Sequence, residues 1–272
     1  MEPPTYLATK YPHPRDERIS FEEGPHIYTI DGVRGSYTSV TTWNHSHFNH
    51  FDPDKVIDGI LKKPQWDNDP SYKYYKKTRE EMKKMWADKG TSASTKGTGL
   101  HYNIELFYNN ESVDDNSIEY QYFVQFQKEH SHLIPYRTEW IIFHEELMLC
   151  GSVDMVFKDP EQDGIYIYDW KRVLEFKYED IYGKKTALTP CISHLPDTNF
   201  YHYSLQLNVY RHILEQKYGQ KVLGLYLVAL HPDNVYKRYE KVQVPFLDKE
   251  LCGLTAYRLE QVREIKTASK ST

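Results

Sequence analysis

The sequence predicts an α/β fold, a central mixed β-sheet flanked by helices. Three observations carry this expectation. Residues 151–157 and 165–171 are rich in β-branched and aromatic side chains, and the segment between them holds Pro, Asp and Gly, so the pair reads as an antiparallel hairpin. Residues 203–218 read as a helix stopped by Gly219. Residues 223–230 and 239–244 then read as strands, ahead of a terminal helix over 248–266. Strands, a helix, two strands and a helix are the order of a sheet covered by helices.

Taken in order, 1–18 is rich in proline and reads as an extended N-terminal arm. Residues 19–21, 26–30 and 37–40 read as short strands, with Asp31-Gly32 as a tight turn. Asp52-Pro53 supplies a cap and a first-turn proline for a helix to about Lys62. Thr78-Arg-Glu-Glu81 fits a capping box. The helix after it carries Met82, Met85 and Trp86 as a core stripe, with Lys83, Lys84 and Lys89 on a solvated face. Gly97 and Gly99 interrupt that helix, and a second pattern begins near Leu100. Residues 115–132 read as an aromatic amphipathic helix, and 136–143 and 147–150 as strands. Residues 172–199, with Lys177, Lys184, Lys185, Pro190 and Pro196, read as a long loop. The domain organisation expected is an arm (1–18), one domain over 19–266 whose first part (about 19–95) is an elaboration, and a frayed tail (267–272).

The chain has 272 residues, enough for one large domain or two small ones, and 39% are hydrophobic, enough for a core. Its 24 tyrosines suit both a core with polar tips and stacking on nucleic-acid bases. A net charge of −5 argues against broad, nonspecific coating of nucleic acid and leaves room for a local basic groove. Cys150, Cys191 and Cys252 are far apart and form no C-x-x-C, which excludes a zinc ribbon or a four-cysteine cluster. They point to a reducing, intracellular setting, cytoplasm or nucleus. Residues 1–17 have no apolar run and read as neither a signal nor a transit peptide, and no stretch reads as a membrane span.

The chemistry concentrates around the hairpin. Side chains alternate along a strand, so Asp169 and Lys171 face one way and Trp170 the other. With Asp154 on the partner strand, two carboxylates and an ammonium converge, and carboxylate oxygens suit Mg²⁺ or Mn²⁺. Such a lysine can orient or deprotonate a water, or stabilise phosphate charge. His101 and Glu105 are four apart and share a helix face, as are Gln206 and Tyr210. Glu139 reads as an isolated surface carboxylate. Taken singly, each of these residues has an ordinary structural explanation, and a D-x-K tripeptide is common by chance.

Together, Gly97-Thr98-x-x-His101-x-x-x-Glu105, Gly151-x-x-Asp154, Asp169-Trp170-Lys171 and Gln206-x-x-x-Tyr210 resemble the PD-(D/E)XK nuclease superfamily. The branch resembled is the RecB-like one, which includes the mitochondrial genome maintenance exonucleases and giant-virus relatives. Ser36-Tyr-Thr-Ser-Val-Thr-Thr42 is also similar to the N-terminal part of that group. The resemblance spans about 19–245. It implies a restriction-endonuclease-like core and metal-dependent hydrolysis of DNA, in replication, repair or recombination. It implies His101, Asp154, Asp169 and the Trp170 carbonyl as ligands of Mg²⁺ or Mn²⁺, Lys171 as the catalytic lysine, and Glu105 as an aid to the metal shell. Gln206 and Tyr210 would hold the lysine or a substrate phosphate. The cysteine cluster of some relatives is absent. Three activities follow as expectations: an exonuclease on single-stranded or frayed ends, an endonuclease of the same fold, or a silent nucleic-acid-binding module. RNA stays open as a substrate. Residues 72–84 and 172–199 mix Tyr with Lys, and a free DNA end is expected to pass beneath one or both.

Overall fold

In the computed structural model of the chain, residues 3–180 and 185–268 are described; Lys184 of the expected loop, the first two residues of the arm and 269–272 of the expected tail lie outside them. The chain divides into two compact units, Met1–Asn49 with Leu100–Thr272, and His50–Gly99. The expected elaboration over 19–95 is therefore not one body: 19–49 belongs with the main unit.

Residues 3–18 are packed rather than extended. α1 (Tyr6–Lys10) buries Leu7, whose backbone N–H donates to Asn109 Oδ1 at 2.9 Å. A 3₁₀ turn at Asp16–Arg18 follows. Asp16 there accepts from Arg137 Nη1 at 2.7 Å and from the Trp140 indole N–H at 2.9 Å. A segment poor in apolar residues is ordered here because it satisfies buried donors of the domain, which are costly to leave unpaired. β1 (Ile19–Glu22), β2 (Ile27–Ile30) and β3 (Val33–Arg34) form a small antiparallel sheet. Asp31 and Gly32 both have positive φ, 50° and 76°, as a two-residue hairpin turn requires. β4 is only Thr38–Ser39, because Ser39 turns to cap α2 (Val40–His45), its hydroxyl accepting from the Thr42 N–H at 3.1 Å. Val40, expected in the strand, opens the helix.

The second unit holds α3 (Pro53–Leu61) and α4 (Pro64–Asn68). Asp52 caps α3 by accepting from the Lys55 N–H at 3.1 Å, with Pro53 in the first turn. Ile57, Ile60 and Met82 form its buried core, ringed by Trp66, Tyr72, Tyr74 and Trp86. Residues 72–84 lie in this unit. α5 (Arg79–Tyr108) opens with the reciprocal box, Thr78 N–H to Glu81 Oε2 at 2.7 Å and Glu81 N–H to Thr78 Oγ1 at 3.2 Å. It continues unbroken through Gly97 and Gly99, against expectation. Each glycine costs a helix about 1 kcal/mol relative to alanine. Burial of Leu100, Ile104 and Tyr108 in the main unit's core outweighs that.

α6 (Ile118–Glu129) is capped by Ser117 and buries Tyr120, Tyr122, Phe123 and Phe126. β5 (Ile134–His144), β6 (Leu149–Lys158) and β7 (Ile165–Lys171) form an antiparallel meander. The two expected strands 147–150 and 151–157 are one. The long loop expected over 172–199 is partly structured: Phe176, Ala187, Ile192 and Leu195 are buried, around a 3₁₀ turn at Pro190–Ile192 and a Thr186–Pro196 bridge. α7 (Asn199–Lys217) precedes β8 (Val222–Ala229), β9 (Glu240–Val244) and α8 (Asp248–Ala268).

The main sheet runs β4-β6-β7-β8-β9, with β5 on the other edge of β6. β7 and β8 are parallel and β8 and β9 antiparallel, so the sheet is mixed. Val153, Ile165, Ile167, Leu225 and Leu227 pack with Leu205, Val209 and Ile213 of α7 on one face. Met155, Phe157, Tyr168 and Trp170 pack with Phe123 and Phe126 of α6 on the other. The protein is thus α/β, with a mixed sheet flanked by helices. Among the described residues, no helix is long and apolar enough to cross a membrane.

Candidate functional site

The site begins as a gap in a strand edge. β5 pairs with β6 from Leu149 to Lys158, filling one edge. On the other edge β4 pairs only with Leu149 and Cys150, and β7 only with Met155 to Lys158. Residues 151–154, the Gly-x-x-Asp motif, are left between them. Arg258 of α8 holds the β4 end of the gap, donating to the carbonyls of Leu147 (2.9 Å) and Met148 (3.2 Å) and to Thr38 Oγ1 (2.9 Å). At the other end Asp154 Oδ2 accepts from the Trp170 backbone N–H at 2.9 Å, replacing the missing ladder bond.

Strand alternation delivers the expected side chains. Trp170 is buried in the aromatic layer, while Asp169 and Lys171 share the opposite face, with Lys171 Nζ 2.6 Å from Asp169 Oδ2. Asp169 is 1% exposed. Neither of its oxygens has a partner in hydrogen-bond geometry, so the lysine contact is an ion pair with its angles off line. Burial pulls the Lys171 ammonium down, but the charges of Asp169 and Asp154 outweigh it and hold the pKa above its ordinary value. Burial first, and then the charge of Asp169, pushes the Asp154 carboxyl up to about 7.

His101 reaches the same place from α5. Its Nε2 lies 2.7 Å from the Trp170 carbonyl, and its Nδ1 lies 3.5 Å from both Glu139 Oε1 and Asp154 Oδ2. A carbonyl only accepts, so Nε2 carries a proton. Burial lowers the imidazole's pKa, but Asp154 and Glu139 raise it more, to about 9. Trp170's carbonyl, expected as a metal ligand, is therefore engaged by His101. Metal-ligating histidines commonly donate their other N–H in this way. Ligand atoms of His101, Glu139 and Asp154 all lie within 4.8 Å of one another, a group able to hold a cation.

Glu139 is the residue whose partners the sequence hid. Its side chain is 32% exposed, but it is not isolated: its Oε2 accepts from Ser152 Oγ at 2.7 Å and its Oε1 faces His101. Burial works against its charge, but the His101 and Ser152 contacts hold its pKa below the usual value. A charged residue within a strand gives no sign of its partners, and those here come from register and helix docking.

The remaining expected residues are close by but bonded differently. Glu105 is nearly buried, and burial followed by the charge of Glu139 raises its pKa to about 8; it is outside the three-residue group. Gln206 Nε2 donates to Tyr210 Oη (3.1 Å) and Thr41 Oγ1 (3.0 Å). Neither Gln206 nor Tyr210 is hydrogen-bonded to Lys171; the lysine's neighbour on α7 is the Tyr203 ring, 4.9 Å from Nζ, a residue that no motif singles out. Tyr210 does fix the gap. A Cβ on Gly151 would lie 2.8 Å from Tyr210 Cε1, so the glycine of one motif makes room for the tyrosine of another.

The donor set suits a divalent ion. It offers one imidazole nitrogen and the partly buried carboxylates of Glu139 and Asp154, and the buried Asp169 nearby keeps Oδ1 without a partner, as a hard or borderline cation prefers. No protein-family model and no curated protein matches the chain.

Proposed function

We propose that this protein is a Mg²⁺- or Mn²⁺-dependent deoxyribonuclease that hydrolyses phosphodiester bonds from single-stranded or frayed ends, in DNA replication, repair or recombination. The observation that supports it is the meeting, at the gap in β6, of the Asp169–Lys171 ion pair with the His101, Glu139 and Asp154 group. The end preference rests on the resemblance to the RecB-like branch.

In this reading His101, Asp154 and Asp169 hold the ion. A bound divalent ion supplies charge relief on the phosphate and a nucleophilic water at neutral pH. Lys171, kept as an ammonium by two carboxylates, donates to the phosphate oxygens as negative charge builds on them, and positions the water without acting as its base. Asp169 and the Tyr203 face fix the direction of that ammonium. Trp170 anchors the strand: its side chain is buried, and its N–H and carbonyl hold Asp154 and His101. Gln206 and Tyr210 brace the gap from α7.

The test is digestion of end-labelled single- and double-stranded DNA with Mg²⁺, Mn²⁺ or EDTA. Metal-dependent release of short products from linear single strands is expected. DNA binding without metal-dependent cleavage would leave a silent binding module in its place.

A further inference from the structure

We infer that Glu139 is a ligand of the ion, that His101 binds it through Nδ1, and that the Trp170 carbonyl serves to orient the histidine. This rests on the reading of the pocket as a metal-dependent nuclease site.

The backbone supplies the first argument. Glu139 has φ +40° in the middle of a strand, a strained conformation that residues other than glycine rarely adopt. The β5–β6 register pairs Thr138 with Met155 and Trp140 with Val153, which sets Glu139 opposite Asp154 with no ladder pairing between them. Face alternation slips at the same point, since Val153 and Val156 pack in one core cluster and Met155 and Phe157 in the other. Like charges opposite one another across a strand pair are unfavourable. A cation between the two carboxylates would neutralise the like charge, and its binding would offset the cost of the strained backbone.

The side chains supply the second. Each carboxylate is already positioned, Glu139 by Ser152 Oγ on Oε2 and Asp154 by the Trp170 N–H on Oδ2. Glu139 Oε1 and His101 Nδ1 carry no such anchor and face each other at 3.5 Å. The ring cannot offer Nε2, because that nitrogen holds a proton and donates it in a hydrogen bond to the Trp170 carbonyl. Independently, the nine-tenths-buried Asp169, neighbour of Trp170 in β7, keeps a carboxylate oxygen, Oδ1, without any partner. One nitrogen with carboxylate oxygens favours Mn²⁺ over Mg²⁺, which is bound mainly through oxygen and retained water.

The experiment measures Mn²⁺ and Mg²⁺ affinity of the full chain by calorimetry, and Mn²⁺ also by electron paramagnetic resonance, without DNA. Wild-type, Glu139→Gln, Ser152→Ala, His101→Ala and Glu161→Gln proteins are compared, Glu161 being an exposed control. Mn²⁺ should bind the wild type more tightly than Mg²⁺. Glu139→Gln should weaken Mn²⁺ by about 10-fold or more and Ser152→Ala by a smaller factor, with the control unchanged; mutation of residues that orient ligands alone typically costs 10–100-fold. Wild-type affinity in Glu139→Gln, or no binding by the wild type, overturns the inference. If Glu139→Gln does not fold, Ser152→Ala decides: weakened binding supports the assignment and wild-type binding overturns it. A wild type that binds Mn²⁺ through Glu139 but leaves DNA intact overturns the nuclease reading while the ligand assignment stands.

Discussion

Gly151→Ala is a sharp test of how the gap is built. The new methyl would lie 2.8 Å from Tyr210 Cε1, 3.0 Å from Oη and 3.3 Å from Cζ. Carbon atoms rest at about 3.5–4.0 Å, so at least one of the two must move by several tenths of an ångström. The Tyr210 ring is 2% exposed and cannot swing into solvent. Overpacking of this kind costs about 1–3 kcal/mol. Displacing the hydroxyl from Gln206 adds about 0.5–1.5 kcal/mol. Taken together, a loss of about 2–4 kcal/mol is expected. With a urea slope of about 2 kcal/mol/M, the unfolding midpoint falls by about 1–2 M. Unfolding is measured in EDTA, so that metal binding does not contribute. Tyr210→Leu removes the obstacle and leaves a cavity, and in that background Gly151→Ala should cost less than about 0.5 kcal/mol. Equal costs in the two backgrounds, or an unchanged midpoint for the single variant, would refute the contact as the reason for the glycine.

Four further outcomes are expected. Lys171→Ala should lose about 100-fold or more in cleavage rate yet keep its Mn²⁺ affinity, and near wild-type turnover would remove the lysine from the reaction. Asp154→Ala should lose metal affinity and cleavage together, read by titration and by product release; retention of both would remove it from the site. Burial first, then the charge of Arg258 on His47 and of Lys217 on His144, lowers the pKa of both histidines to about 4, against about 6.5 in an unfolded chain. Their neutral burial therefore contributes fully above about pH 6.5 and is lost as pH falls toward 4, by up to about 3 kcal/mol each. His47→Gln should flatten that fall in urea midpoint, and an unchanged pH slope would count against it. A closed single-stranded circle should survive while the linear strand of the same sequence is degraded, and comparable cleavage of both would favour an endonuclease.

Local pattern carried much of this fold into the sequence. The hairpin of β6 and β7, the α3 cap at Asp52 and the box at Thr78 and Glu81 depend on neighbours a few residues away, and the structure has them. Asp169 and Lys171 were legible because strand periodicity alone sets their faces; Asp154 was legible as a strand residue, but its face depends on the slip in alternation between Val153 and Met155. What was hidden depends on distant partners. Glu139 needs the β5–β6 register, Tyr203 needs α7 docked on the sheet, and the packing of the turn at Asp16 needs Arg137 and Trp140. Gly97 and Gly99 misled because helix propensity is a weak prior against the burial of Leu100 and Ile104.

The parallel pairing of β7 with β8 has a kinetic consequence. β5, β6 and β7 follow one another through short turns, so the meander carrying Glu139, Asp154, Asp169 and Lys171 closes over little chain. β8 joins only after the crossover that contains α7 has been brought back to the sheet. Pairings distant in sequence form late, because closure entropy precedes their reward. Tyr203 and Tyr210 arrive with that step. On refolding, the carboxylates should therefore assemble before the face that steadies Lys171, and recovery of cleavage should lag behind recovery of the hairpin's amide protection.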